Sequence, residues 1–426
     1  MTAAFNVQKF GAHVEVFDKE SEIGGRMGVK KINDTSYCIG GKNIGRSYAN
    51  FRKLCADLDA GAFEEFGLNS GSAKKQAGRQ INNKKPLTSV FNVLKMLTLN
   101  DVVTVAPIFF SILKDRSNST FSGRFFLNNS NKKLFKEPLS CIFSESFIEN
   151  IARPLVVRNN AAEPEEVPVA NFVTNLAMIM DSYDQLQNGP EQFFTNFCSK
   201  INVRKSCEID RISINQQGKY LITAGDSQYV FDVVIVATPA NAAAKLIKEL
   251  DDELSDRLKQ IRYFPVAVVI AEYKNPVFSK NIRALTFSKD SALNNAGAYG
   301  ASKLNVVRYT FSGKSSRNLL NSNQSIKNLL KLAETEAKCV LNIEKNELLS
   351  HTGTVLSTGL CAYTFEHDKT LVEIGLRLQT LPGLFLCGDY IEGVSIEACC
   401  LSGVKAAKKV SAYLNRREIS PLAISI

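Results

Sequence analysis

Residues 384–407 read LFLCGDYIEGVSIEACCLSGVKAA, and the fold turns on this stretch. It opens on a short apolar run, Leu384-Phe385-Leu386-Cys387, bounded by the pair Gly388-Asp389. Such a run is too short for a helix and reads as a buried strand of an α/β sheet. Beyond a loop, Ser395 precedes apolar or small residues at Ile396, Cys399, Cys400, Val404 and Ala407. That spacing is helical, and a hydroxyl at its start supplies a cap. A strand, a glycine turn and a capped helix gather free backbone amides and a positive dipole end in one place, which suits an anionic or electron-rich ligand. The same features also describe an ordinary strand–loop–helix connection, and the stretch alone does not choose between the two.

Composition sets the outer bounds. The chain has 426 residues, 45% of them hydrophobic and 22% charged, which is globular and long enough for two intertwined domains. The net charge of +10 is spread along the sequence. Its densest basic cluster, Lys74, Lys75, Arg79, Lys84 and Lys85, lies in a Gly/Ser/Asn-rich segment without interleaved aromatics. This predicts a solvated loop and no nucleic-acid partner, and leaves contact with an anionic membrane surface open. The ten cysteines include no CxxC pair. They therefore read as small buried thiols in a reducing compartment, with neither a disulfide framework nor a metal site. No charged-then-apolar leader opens the sequence, and the longest apolar run, 102–113, contains Pro107. At about twelve residues it is too short to span a bilayer. The expectation is a cytoplasmic protein, with peripheral membrane contact open.

The first ten residues, MTAAFNVQKF, have helical character with no cap or strand before them. Gly11 ends the helix, and His13-Val14-Glu15-Val16-Phe17-Asp18 follows as an alternating strand closed by an acid. An acid at the end of the second strand of a βαβ unit is placed to bind adenosine ribose hydroxyls, and Asp18 occupies that position. Next, Gly24 and Gly25 permit close backbone approach to a phosphate that Arg26 can neutralise. A further glycine pair, Gly40-Gly41, follows a short strand at Tyr37-Cys38-Ile39. Each piece alone is weak, because turns use Asp and Gly for conformational reasons. Their order and spacing carry more weight than any one of them.

Three stretches carry a resemblance: VEVFDKESEIGGRMG at 14–28, YCIGGKNIGRSYANFRKLCADLDAG at 37–61, and the segment 381–407. They resemble the flavin-dependent amine oxidase superfamily, in the branch of protoporphyrinogen oxidase and phytoene desaturase. Asn188-Gly189-Pro190-Glu191, Cys207-Glu208-Ile209-Asp210-Arg211-Ile212 and the run 231–239 are similar to its central segments, and the resemblance implies that the stretch from Cys207 is a strand whose backbone meets the adenine. The resemblance implies an α/β fold, a Rossmann-like FAD-binding domain with an inserted α+β substrate domain. It implies FAD as cofactor and a small hydrophobic substrate that yields hydride from a C–H or CH–NH group. It also implies roles. Asp18 would hold the adenosine ribose, Gly24, Gly25 and Arg26 the pyrophosphate and ribityl region, and Ile209 the adenine through its main chain. Gly40 and Gly41 would lie by the isoalloxazine, Gly388 and Asp389 by the pyrophosphate and ribityl chain. Ser395, Ile396 and Glu397 would begin the helix whose positive end faces the reduced ring.

The chain departs from that pattern in three places. Family members open on an apolar strand and a GxGxxG turn, whereas Met1 to Phe5 matches the helix after that turn. Two expectations follow: an incomplete version of a longer protein, or a relative that holds flavin weakly or not at all and serves as a binding or scaffold protein. Loss of that strand would open the sheet between its neighbours. Cys361 stands where the family usually has proline, and Ala398 where it commonly has glycine.

The expected FAD-binding segments are 1–70, 188–260 and 351–426. The expected substrate domain comprises 71–187, mostly helical, and 261–350, mostly sheet. Helices are expected at 90–99, 102–113, 143–155, 172–180 and 325–341, strands at 263–273 and 303–311, and a loop at 123–136. Catalytic residues are not legible. Of the three histidines, His13, His351 and His367, only His367 matches a family segment, and its expected role is structural.

Overall fold

The computed structural model describes residues 1–33, 35–66, 69–72, 81–82, 92–114, 136–179 and 181–419. Most of the loop expected at 123–136, and the start of the helix expected at 90–99, lie outside the described residues. The stretch that opened the sequence reading forms the strand Leu384–Leu386, a four-residue helix Asp389–Glu392, and the long helix Ile396–Ile419. The expected loop is thus partly helical. Ser395 caps the long helix, its Oγ accepting from the Ala398 amide at 3.0 Å.

Leu384–Leu386 pairs in parallel with Val234–Val236, while Glu15–Phe17 pairs in parallel with Asn202–Arg204. These are two separate two-stranded sheets and not one continuous sheet. Among the described residues each pair has an open edge. A shared apolar cluster of Val14, Val233, Ile235 and Phe385 with Val7, Ala407 and Val410 bridges the two pairs. Val7 belongs to the helix Thr2–Lys9, which lies against the long C-terminal helix. The approach is so close that a Cβ at Gly403 would stand 2.9 Å from the Ala3 nitrogen.

The second layer system is a mostly antiparallel sheet of seven described strands. Its centre is Tyr263–Tyr273, paired on one side with Val306–Phe311 and on the other with the 14-residue strand Leu348–Cys361. The alternation of Val266, Val268 and Ile270 suggests one buried face, yet nearly every residue of the strand is buried. Ala267, Val269, Ala271 and Tyr273 pack under the helix Ile326–Ala337, while Val266, Val268 and Ile270 pack on Ile32, Tyr37 and Ile39. The second set joins the sheet to the glycine-bearing segments.

The helical layer differs from expectation in an instructive way. The helix expected at 102–113 runs from Leu99 to Lys114, because Thr98 and Asp101 form a reciprocal capping box: Asp101 N donates to Thr98 Oγ1 at 3.2 Å and Thr98 N to Asp101 Oδ2 at 2.8 Å. The buried Asp101 also accepts from Ser144 N at 2.8 Å and Ser144 Oγ at 2.6 Å. Ser144 is therefore held in an extended conformation as an N-cap, so the helix expected at 143–155 starts at Glu145 and runs to Asn160 with a π turn at Ile148–Ala152, while a separate short helix, Leu139–Ile142, precedes it.

Asp101 should be a measurable anchor. Burial opposes its charge, but hydrogen bonds from Ser144 and Thr98 hold its carboxyl below the usual carboxylate range. A lowered carboxylate contributes stability that is present above its unfolded pKa and lost as pH falls through the folded value. Asp101→Ala should cost about 2–3 kcal/mol in urea denaturation at neutral pH. Asp101→Asn should lose less stability than wild type as the pH falls below the ordinary carboxylate range.

Candidate functional site

Four backbone segments meet beside the end of Leu384–Leu386: the short 3-10 turn Gly25–Met27, the end of the strand Thr35–Cys38, the Gly388-Asp389 turn, and the start of Ile396–Ile419. The tightest contact is between glycine backbone and Arg26. A Cβ on Gly40 would lie 1.6 Å from the Arg26 carbonyl oxygen, and the Gly41 amide donates to that same oxygen at 3.2 Å. Only glycine tolerates this approach at position 40. Gly41 faces Ile396, whose Cδ1 would stand 3.1 Å from an added Cβ. Gly24 adopts φ +123° against the Phe194 ring, and Gly388 adopts φ +145° with its amide donating to Ser402 Oγ at 3.0 Å.

Across this crevice runs an ion pair. Arg26 Nη1 donates to Asp389 Oδ2 at 2.5 Å and to the Gly359 carbonyl at 3.3 Å. The Asp389 side chain is only 3% exposed, that of Arg26 30%. Tyr263 completes the group: its hydroxyl donates to Asp389 Oδ1 at 2.9 Å, and the Arg26 guanidinium lies 5.6 Å from its ring centroid. Burial, and then the Asp389 charge, push the Tyr263 phenol well above its ordinary pKa, so it remains a donor. Behind it, Tyr363 Oη donates to the Asp389 carbonyl at 2.5 Å and its ring stacks on His367 at 4.0 Å. His367 Nε2 lies 2.9 Å from the Tyr390 carbonyl and is buried, in keeping with its expected structural role.

Asp18 and Ile209 form a second group. Asp18 follows the strand Glu15–Phe17, its carbonyl accepts from the Cys207 amide at 2.9 Å, and Ile209 lies two residues further on. Ile209 is not within a strand. The strand expected from Cys207 begins only at Arg211, because Asp210 instead binds the hairpin partner through the Thr223 carbonyl and the Gly225 amide. Asp18 Oδ1 accepts from the Glu20 amide at 3.0 Å, while Oδ2 accepts no hydrogen bond among the described residues.

Sequence reasoning missed Tyr263 and the role of Glu397. Glu397 turns from the long helix to the start of Ala49–Asp57, where Oε1 accepts from Asn50 N at 2.8 Å and Asn50 Nδ2 at 2.7 Å, and Oε2 from Phe51 N at 2.8 Å. It caps another helix from a distance and thereby ties the Gly40-Gly41 segment to the C-terminal helix. An acid among small residues in a first turn was the available signal, but its partner was not.

A divided parallel sheet with a capped helix at its strand ends, joined to a mostly antiparallel sheet, defines an α/β FAD-binding fold. Comparison with known proteins gives the family. The family model described as flavin containing amine oxidoreductase matches residues 1–411. The chain belongs to that family. Among curated relatives, mitochondrial protoporphyrinogen oxidase of Nicotiana tabacum is 26% identical over 205 residues, which cover 43% of this chain and 39% of the relative. The matched stretch therefore spans less than half of that enzyme. Among solved structures, a proposed protoporphyrinogen oxidase from Exiguobacterium sp. 255-15 shares the fold with TM-score 0.72 and 15% identity, covering 97% of this chain and 96% of that one. A fatty acid isomerase from P. acnes superposes with TM-score 0.69 and 11% identity, covering 96% and 95%.

The residues fit the flavin that this family carries at both ends of the site. A free carboxylate oxygen at Asp18 can accept from ribose hydroxyls, and a Cβ at Gly25 would meet nothing within 4 Å. Between them, the paired Arg26 and Asp389 place a guanidinium and a carboxylate where a polar chain would pass.

This pair gives a direct stability test. Asp389→Ala leaves the Arg26 cation uncompensated and should cost about 3 kcal/mol in urea denaturation. The double variant Arg26→Met/Asp389→Leu should recover at least half of that loss, and additive costs would show that the two side chains are not coupled.

Proposed function

We propose that the protein is an FAD-dependent oxidoreductase acting on a hydrophobic substrate that gives up hydride from a C–H or CH–NH group. The observation that carries this reading is the meeting of Arg26, Gly40-Gly41, Asp389 and the Ser395-capped helix in one crevice. Bound flavin would supply a hydride acceptor at N5. The chain's own contributions are to hold and orient. Asp18 would accept from the adenosine ribose and Ile209 would flank adenine. Arg26 and Asp389 would serve the pyrophosphate and ribityl chain, and Gly40 and Gly41 would let the ring lie against backbone. The amides at the start of Ile396–Ile419 would stabilise negative charge on the ring. No acid–base pair is required beyond this, since the cofactor carries the hard step.

The alternative reading is a flavin-free binding protein. Purification separates the two readings. Under the first, the protein takes up FAD and shows flavin absorbance, and Asp18→Ala weakens FAD binding about tenfold, equivalent to about 1.4 kcal/mol. A folded protein that stays colourless with excess FAD supports the second.

We further propose peripheral contact with an anionic membrane surface. The helix Leu99–Lys114 presents Leu99, Val103, Phe110 and Leu113 on one face, 87%, 70%, 68% and 50% exposed, on a chain of net charge +10. No helix among the described residues is long and apolar enough to cross a membrane. Leu99→Asp/Phe110→Asp should abolish co-sedimentation with phosphatidylserine-containing vesicles. Equal sedimentation of variant and wild type would discard this face as the contact.

A further inference from the structure

On the side of Gly40-Gly41 away from Asp389, the structure gathers four cations, of which only Arg283 has a carboxylate, that of Glu65, close enough to act on it. Lys42 immediately follows the glycine pair. Its Nζ donates to the Tyr299 carbonyl at 2.5 Å and lies 4.0 Å from the Phe66 ring centroid and 4.9 Å from that of Tyr299. Arg308, on the strand Val306–Phe311, donates from Nη1 to the Gly40 carbonyl at 2.6 Å. Arg283 donates to the Phe66 carbonyl at 2.7 Å and lies 5.3 Å from the same Phe66 ring as Lys42. Arg158, in the last turn of Arg153–Asn160, is exposed and near enough for its charge to act on both Lys42 and Arg308.

None of the four forms an ion pair among the described residues. Lys42, Arg308 and Arg283 are held by carbonyl oxygens, and Lys42 and Arg283 also by aromatic faces, which accept hydrogen bonds but do not neutralise charge. The nearby carboxylate of Glu64 is bound by the Gln185 amide, and only the Gln185 carbonyl oxygen, at 3.5 Å, faces Lys42. Burial, and then Arg308, lower the Lys42 pKa well below its ordinary value, while burial lowers that of Arg308. Half-buried like charges are costly to hold together, and an anion placed among them removes that cost. Arg26 in the same molecule is the contrast, since it has Asp389.

We infer that Lys42, Arg308 and Arg158 form a subsite for the carboxylate of an apolar organic acid, which enters the crevice with its charged end on these cations and its apolar part along Phe66 and Tyr299. This rests on the proposed oxidoreductase site and narrows its substrates to hydrophobic carboxylates. Arg308 serves double duty, since the guanidinium that fixes the Gly40 carbonyl has further donors to offer a carboxylate.

Binding of decanoate to the purified full chain, followed by isothermal titration calorimetry, tests the subsite, with decylamine and inorganic phosphate as controls. Decanoate should bind, its affinity should fall with salt, and decylamine and phosphate should bind at least tenfold more weakly. Lys42→Gln and Arg158→Gln should each weaken decanoate binding about tenfold. Arg158 is exposed, so its variant keeps the fold, checked by an unchanged urea midpoint. No decanoate binding, equal binding of decylamine or phosphate, or wild-type affinity in both variants would overturn the inference. The measurement needs no flavin, so a colourless protein that still binds decanoate through Lys42 and Arg158 would count against the oxidoreductase reading and leave the subsite standing.

Discussion

The buried pair of Arg26 with Asp389 is the constraint on which the site's geometry depends. It joins the glycine turn near the start of the chain to the strand end near its finish, 363 positions apart in sequence. Because Asp389 is nearly inaccessible, its charge requires a partner, and the Arg26 turn must come to it. Once there, the Arg26 carbonyl fixes the Gly41 amide and excludes a side chain at Gly40. Tyr263 and Tyr363 then bring the long central strand and the end of Leu348–Cys361 to the same carboxylate residue. Asp389, through its carboxylate and its own carbonyl, thus holds together pieces of both sheet systems.

Much of this was legible where the signal is local. The Ser395 cap, the strand before Gly388, the helix at the front and the strand at 263–273 each follow from spacing within a few residues. The clustering of Gly40, Gly41, Arg26 and Asp389 was reached through the family pattern, not through periodicity. What sequence could not provide were side chains whose meaning lies far away. Asp101 fixes where an expected helix begins, because a hydrogen bond across 43 residues holds Ser144 as its extended cap. Glu397 caps a helix 346 positions earlier. Ile209 lay outside its expected strand because Asp210 is drawn to the neighbouring hairpin.

Two kinds of cation flank the glycine pair, and their surroundings differ in purpose. On one side Arg26 is matched by a carboxylate and belongs to the architecture. On the other, Lys42 and Arg308 lean on carbonyls and rings, which position a charge but leave it to act on something else. A site for an oxidation gains from this asymmetry. The matched side can remain fixed while the unmatched side selects what enters.

The packing of Thr2–Lys9 against Ile396–Ile419, with Gly403 admitting the Ala3 backbone, also has a consequence for biogenesis. The helix Thr2–Lys9 finds its partner only after the long stretch up to Ile396–Ile419 has been synthesised. At about 5–20 residues per second, that is a wait of at least roughly 20 seconds. During that time Ala3 and Val7, both buried in the finished molecule, lack the cover that Ala406, Ala407 and Val410 give them. Closure of the flavin-fold half is therefore a late event in synthesis, and the nascent chain is the form most in need of a chaperone.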